Sequence, residues 1–307
     1  MTLRAAGSIP LPGGAGKGFD HADTFLDRGD SRLYVAHTAM DAVDVIDCTT
    51  NTYLRSILGL PGVAGVLIDS EHDLLATSDR GAARVSLYRC SDERLIARVG
   101  VGPRPNGLAY DRKRRRVYAF NLGEPPGEGC SASVIAVGDT RVVSTIPLPG
   151  RPRWAIYDAA SDSVFVNIQA PAVIVGIDAA TCEERGRIEV GSDGPHGLGL
   201  IDGRLFCATD GGEVVVIDDP AGAARVTRRL PLRGMPDVVW HAGVRPLLYV
   251  AIGTPGVVTV IDTDRLVETE TIETAPGAHT LGWDPRTRRL YVFAPDRGGA
   301  LVFEEAA

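Results

Sequence analysis

One short phrase recurs seven times along this 307-residue chain: an apolar residue closing a strand, then a turn rich in Pro and Gly. It reads Ser8-Ile9-Pro10-Leu11-Pro12-Gly13, Ile57-Leu58-Gly59-Leu60-Pro61-Gly62 and Val99-Gly100-Val101-Gly102-Pro103. It returns as Ile146-Pro147-Leu148-Pro149-Gly150, Ile188-Glu189-Val190-Gly191, Leu230-Pro231-Leu232-Arg233-Gly234 and Ile272-Glu273-Thr274-Ala275-Pro276-Gly277. The apolar marks at 9, 57, 99, 146, 188, 230 and 272 are separated by steps of 48, 42, 47, 42, 42 and 42. A period of roughly 40–45 residues with strand-rich interiors specifies a β-propeller. The period also gives every polar residue a phase, and so a position on the disc.

Each repeat holds four short strands, rich in β-branched residues and bounded by turn formers. In the third, Asn106 to Asp111, Arg116 to Asn121, Ser133 to Val137 and Val142 to Ile146 make one blade. After Ile272 only three strands remain before the chain ends. The missing fourth is Leu3 to Ile9, so the N-terminal strand is expected to close the last blade and leave no free sheet edge. The predicted fold is all-β: a seven-bladed propeller of four-stranded antiparallel blades, one domain over residues 1–307.

Second strands such as Arg32-Leu33-Tyr34-Val35-Ala36-His37 and Leu247-Leu248-Tyr249-Val250-Ala251-Ile252 precede third strands such as Val257-Val258-Thr259-Val260-Ile261-Asp262-Thr263. With these residues the whole chain resembles the YVTN-repeat seven-bladed propellers and their pattern YV-x-N … V-x-V-I-D-x-x-T. That family includes structural, binding and catalytic members, so the resemblance implies a fold and leaves the activity open. Propeller lactonases and streptogramin lyases have a similar architecture. The lyases' use of a His with Mg²⁺ and acidic ligands near the funnel is an analogy at the level of fold, without a residue-by-residue match.

Composition narrows the partners. A net charge of −7 argues against nucleic acid, which requires a basic face. The one basic run, Arg112-Lys113-Arg114-Arg115-Arg116, falls in a turn and reads as a solvated hairpin tip. Five cysteines without CxxC spacing fit a reducing compartment. No stretch reads as a signal peptide or a membrane span, so a cytoplasmic, membrane-independent protein is expected. Gly13-Gly14-Ala15-Gly16-Lys17-Gly18 lacks the spacing of a phosphate loop.

Phase sorts the polar residues. The loop leading into each first strand and the loop between second and third strands open on one face, here the top. Both long loops, Gly13 to Asp20 and Gly123 to Cys130, lie there, and insertions gathered on one face mark a binding face. The seven rim positions are Ala22 (with His21 beside it), Ala64, Asn106, Arg153, His196, Asp237 and His279. His37 ends a second strand on the same face; Asp20, Asp79, Asn121, Asp210 and Glu124 are its neighbours. His72 and His241 fall at the bottom.

Imidazole, carboxylate, amide and guanidinium converging on one axis suit a small-molecule site. Three uses are open: His21, His196 and His279 sharing a divalent metal ion, as three-His sites with a vacant position do; rim histidines that bind substrate or move protons; and a polar rim that merely holds channel water. The leading expectation is a metal-assisted lyase or hydrolase. His37 or Asp237 would move the proton, Arg153 would steady an oxyanion, and Asn106 and Asn121 would bind substrate. The alternative is a non-catalytic scaffold that binds a ligand, peptide or protein on the same face. Trp154 is expected to pack between blades, as are Trp240 and Trp283.

Overall fold

The computed structural model describes residues 3–16, 18–243 and 245–306. Its strands form seven antiparallel sheets of four, arranged as the blades of a closed ring. In blades one to six, four consecutive strands make one sheet. The seventh combines Thr280–Asp284, Arg289–Ala294 and Gly299–Glu305 with the N-terminal strand Leu3–Pro10. That strand runs antiparallel to the last one, from Leu3 opposite Glu305 to Pro10 opposite Gly299. Leu3 and Ile9 are buried at the seam. All seven apolar marks of the repeat sit near the ends of fourth strands, as the period requires.

Within a blade, burial is greatest in the two middle strands. Second and third strands such as Arg116–Asn121 and Ser131–Ala136 are almost wholly buried, while fourth strands such as Arg141–Pro147 alternate exposed and covered residues. The Tyr of the second-strand phrase ties one blade to the next. Tyr34 donates to the Cys90 carbonyl at 3.3 Å, Tyr118 to the Ala179 carbonyl at 3.2 Å, and Tyr291 to the Cys48 carbonyl at 3.4 Å. A buried hydroxyl needs such a partner, and the ring fills the space between sheets. The basic run is a hairpin tip: Arg112 pairs with Asp69, and Arg114 with Asp111 and Asp162.

First strands surround the axis. In blades two to six each carries a register irregularity near its top: between Val63 and Val66, Pro105 and Leu108, Pro152 and Ala155, Pro195 and Leu198, and Pro236 and Val239. The first residue inside each break is the rim residue: Ala64, Asn106, Arg153, His196 and Asp237. A bulge re-aims the side chains it carries. Glycine follows the rim residue in three of these blades because the neighbouring backbone comes close. A Cβ on Gly107 would stand 2.6 Å from the Arg153 carbonyl oxygen.

Candidate active site at the funnel mouth

A cavity of about 190 Å³ opens at the top of the axis. Five of the seven rim positions reach it, Asn106, Arg153, His196, Asp237 and His279, together with His21 beside a sixth. Asp20, Arg80, Arg151 and Trp154 complete its polar and aromatic wall.

His196 stands at its centre between two carboxylates. Nδ1 lies 3.0 Å from Asp210 Oδ1, and Nε2 lies 3.0 Å from Asp237 Oδ1. Burial pulls the imidazolium down, but the bonds to Asp210 and Asp237 and the Asp237 charge outweigh it and push His196 up to about 9. Burial acts the opposite way on Asp237, yet His196, with His279 and His21, holds its carboxyl below the ordinary range. Arg153 Nη1 also lies 3.2 Å from His196 Nε2. Nε2 therefore has two alternative partners. Protonated, it donates to Asp237; deprotonated, it accepts from Arg153.

His21 is tuned the other way. Its ring meets Trp154 edge-on with centroids 4.4 Å apart, and its Nε2 is 3.5 Å from Asp20 Oδ1. Burial is the dominant influence and lowers its pKa, with Arg80 and His196 adding to the fall against Asp20 and Asp237. At neutral pH one rim imidazole is thus neutral and its neighbour charged. Trp154 faces the axis here instead of packing only between blades, as the sequence suggested. His279 donates from Nδ1 to the Gly277 carbonyl at 2.8 Å, and the residue lines the cavity.

Arginines crowd the same mouth. Arg80 donates to Asp20 at 3.1 Å and to the Asn106 side-chain oxygen. Burial, then the charges of Arg153, Arg80 and Arg104, pull Arg151 below its ordinary value against the attraction of Asp210. The Nε atoms of Arg80, Arg104, Arg151 and Arg153 are all buried without a hydrogen-bond partner. Arg80, Arg104 and Arg151 went unnoticed in the sequence, since a chain so rich in arginine gives no local mark to these ones. Arg151 and Arg153 do flank Pro152 at the start of a first strand, and that pairing was legible.

Two expected residues lie apart from the mouth. His37 is fully buried, with Nδ1 2.7 Å from Asp44 Oδ2 and Phe19 stacked on the ring at 4.4 Å. Phe19 covers it, and it does not line the cavity at the axis. Asn121 is also fully buried and donates to Ser131 at 3.1 Å and Ser133 at 3.0 Å within its own sheet. Asp79 is likewise a structural carboxylate, held by Arg84 and Ser86.

The expected metal set does not fit these positions. His21, His196 and His279 reach one cavity, yet no group of three or more His, Cys, Asp or Glu side chains among the described residues is placed to hold a metal ion. Both nitrogens of His196 are engaged, and a guanidinium adjoins the one that faces Asp237.

No family model matches the chain, and no curated protein matches it. Among solved structures it is similar to a chain of Kuenenia stuttgartiensis hydrazine synthase, with a TM-score of 0.82 at 16% identity over 96% of this chain and 97% of that one. The likeness is one of fold. No helix among the described residues is long and apolar enough to cross a membrane.

Proposed function

We propose that the funnel mouth is the active site of a lyase or hydrolase acting on a small anionic molecule by acid–base catalysis. The observation that carries this reading is the meeting, in one small cavity, of arginines whose Nε atoms are buried without a partner and two imidazoles whose pKa values are pushed in opposite directions. Environments that drive neighbouring titratable groups apart divide the roles of base and acid between them. Arg151 and Arg153 hold the substrate's carboxylate or phosphate oxygens through charge-assisted hydrogen bonds. His21, neutral, takes a proton from the substrate or from an attacking water. His196 gives its Nε2 proton to the departing oxygen and then accepts a hydrogen bond from Arg153. Asp210 holds the other ring nitrogen in place, and Asp237 stabilises the charged form before transfer. Asn106, fixed by Arg80, is a polar contact for the substrate. The proton taken by His21 returns to His196 through solvent, which balances the cycle.

The resemblance to YVTN-repeat propellers, whose architecture is similar to that of propeller lactonases and streptogramin lyases, supports this reading, and the net charge of −7 weighs against a nucleic-acid partner. Five free cysteines fit a cytoplasmic setting. The structural neighbour is an enzyme by its name, and that is compatible with catalysis on this scaffold.

Calorimetric titration with succinate and with inorganic phosphate tests the reading. One site per chain is expected, weakened ~10–100-fold in Arg153→Ala, which is the scale of one charge-assisted bond. Turnover of a carboxylated ester or β-hydroxy acid panel should fall ~10²–10⁴-fold in His196→Gln. Binding without turnover of any panel member would favour the scaffold alternative. Absence of anion binding would remove the proposal.

A further inference from the structure

A second and larger cavity lies below the mouth. It has a volume of about 460 Å³ and is lined by the first strands of blades one to six. That is ample for a small organic ligand, whose pockets begin near ~300 Å³. His21 and Trp154 belong to the walls of both cavities and stand between them. The two chambers differ in chemistry. The mouth is lined by charge, while the lower wall is built from Val66, Leu108, Ile156, Leu198, Leu200 and Val239, with Trp154 above and Trp240 below.

The two carboxylates in the lower wall are already engaged, while the Tyr110 hydroxyl is buried without a partner. Asp23 accepts from the Thr24 N–H at 2.8 Å and from the Ile68 N–H at 2.7 Å. Asp69, at the lower opening, pairs with both Arg112 and His72. Both carboxylates are thus already held by the protein's own hydrogen bonds and ion pairs. Leu67, Ile156, Leu200 and Trp240 nevertheless keep solvent-accessible surface, although they sit on innermost strands of an otherwise dry core. Trp240 differs here from Trp283, which is buried between blades against Tyr249 as expected. Inward-facing leucines and an indole that stay wet cost hydrophobic free energy, and an apolar occupant recovers it.

We infer that the lower channel is a binding site for one uncharged aromatic small molecule, held between the Trp154 and Trp240 rings and the surrounding aliphatic side chains. The site enters from the bottom face, past His241 and Asp69. It is independent of the anion chemistry at the mouth, and its ligand touches the underside of the His21–Trp154 pair. A macromolecular segment does not fit a chamber closed on its upper side by that pair.

The test uses the full-length protein and N-phenyl-1-naphthylamine, an uncharged probe whose emission rises on apolar burial. One probe per chain is expected, with energy transfer from tryptophan. Leu200→Trp and Leu67→Trp fill the chamber from two different blades, and each should weaken the probe at least tenfold while leaving phosphate binding at the mouth unchanged. Should both variants fail to fold, Trp240→Phe decides: tryptophan-to-probe transfer should fall by about half, because an indole in the wall has been removed. No rise in emission, several weak sites per chain, or wild-type binding in the filled variants would overturn the inference, as would unaltered transfer in Trp240→Phe. Loss of probe binding with anion binding intact would strike this site alone and leave the mouth's function standing.

Discussion

At the residue scale, the decisive contrast is between histidines that share a sequence phase but not an environment. His196 is held charged by two aspartates, and His21 is held neutral by burial. The linkage to stability has a definite sign. A histidine whose pKa rises from 6.5 to about 9 on folding contributes stability that is complete below pH 6.5 and is lost as pH rises toward 9. The contribution has a ceiling of about 3 kcal/mol, and Asp237 shares in that one interaction rather than adding to it. We expect the melting temperature to fall between pH 6.5 and 9, and the fall to shrink in His196→Gln. Equal pH profiles for the two proteins would contradict the assignment. The rim histidines were legible because the repeat fixes their phase. His37 shared the same face, but its burial depends on Phe19, brought over it by a loop that phase alone does not place.

At the element scale, the rim is made by the irregular tops of first strands. Five of the seven strands break register where the rim residue sits, and this break aims Arg153, His196 and Asp237 toward the axis. The sequence located the strands and their rim residues. It did not disclose the breaks, because a bulge is a property of pairing between strands and leaves only a weak trace, here the glycines after Asn106 and His196. Gly107→Ala puts a methyl against the Arg153 carbonyl, a backbone atom that cannot swing aside. We expect a loss of about 1–3 kcal/mol in unfolding free energy, the usual scale of overpacking, together with weaker anion binding through displaced Arg153. A denaturant midpoint equal to wild type would show that the neighbouring blade yields freely.

At the scale of the whole molecule, the ring is closed by pairing its two ends. Deleting residues 1–10 removes the strand that covers Gly299–Glu305 and exposes a sheet edge beside a buried core. An insoluble truncation is expected, measured as the soluble fraction after expression; a soluble, folded one would contradict closure by this strand. The same ring brings together groups from positions 20 to 279 of the chain. The repeat period made that convergence legible for rim residues. It also placed Asp210 on the top face, but it did not single out Arg80, which reaches the mouth from the turn between the second and third strands of its blade. Nor could it foresee that the His196 imidazole engages two carboxylates and a guanidinium.

The central claim is that the axial mouth sets two imidazoles in opposite protonation states beside an anion site. Proton–nitrogen correlation spectra of protein carrying ¹⁵N-labelled histidine, followed through pH with and without phosphate, read both facts together. His196 is expected to titrate near 9 and His21 below 6.5, with both resonances moved by phosphate. Two histidines that titrate together near 6.5 and ignore the anion would contradict it.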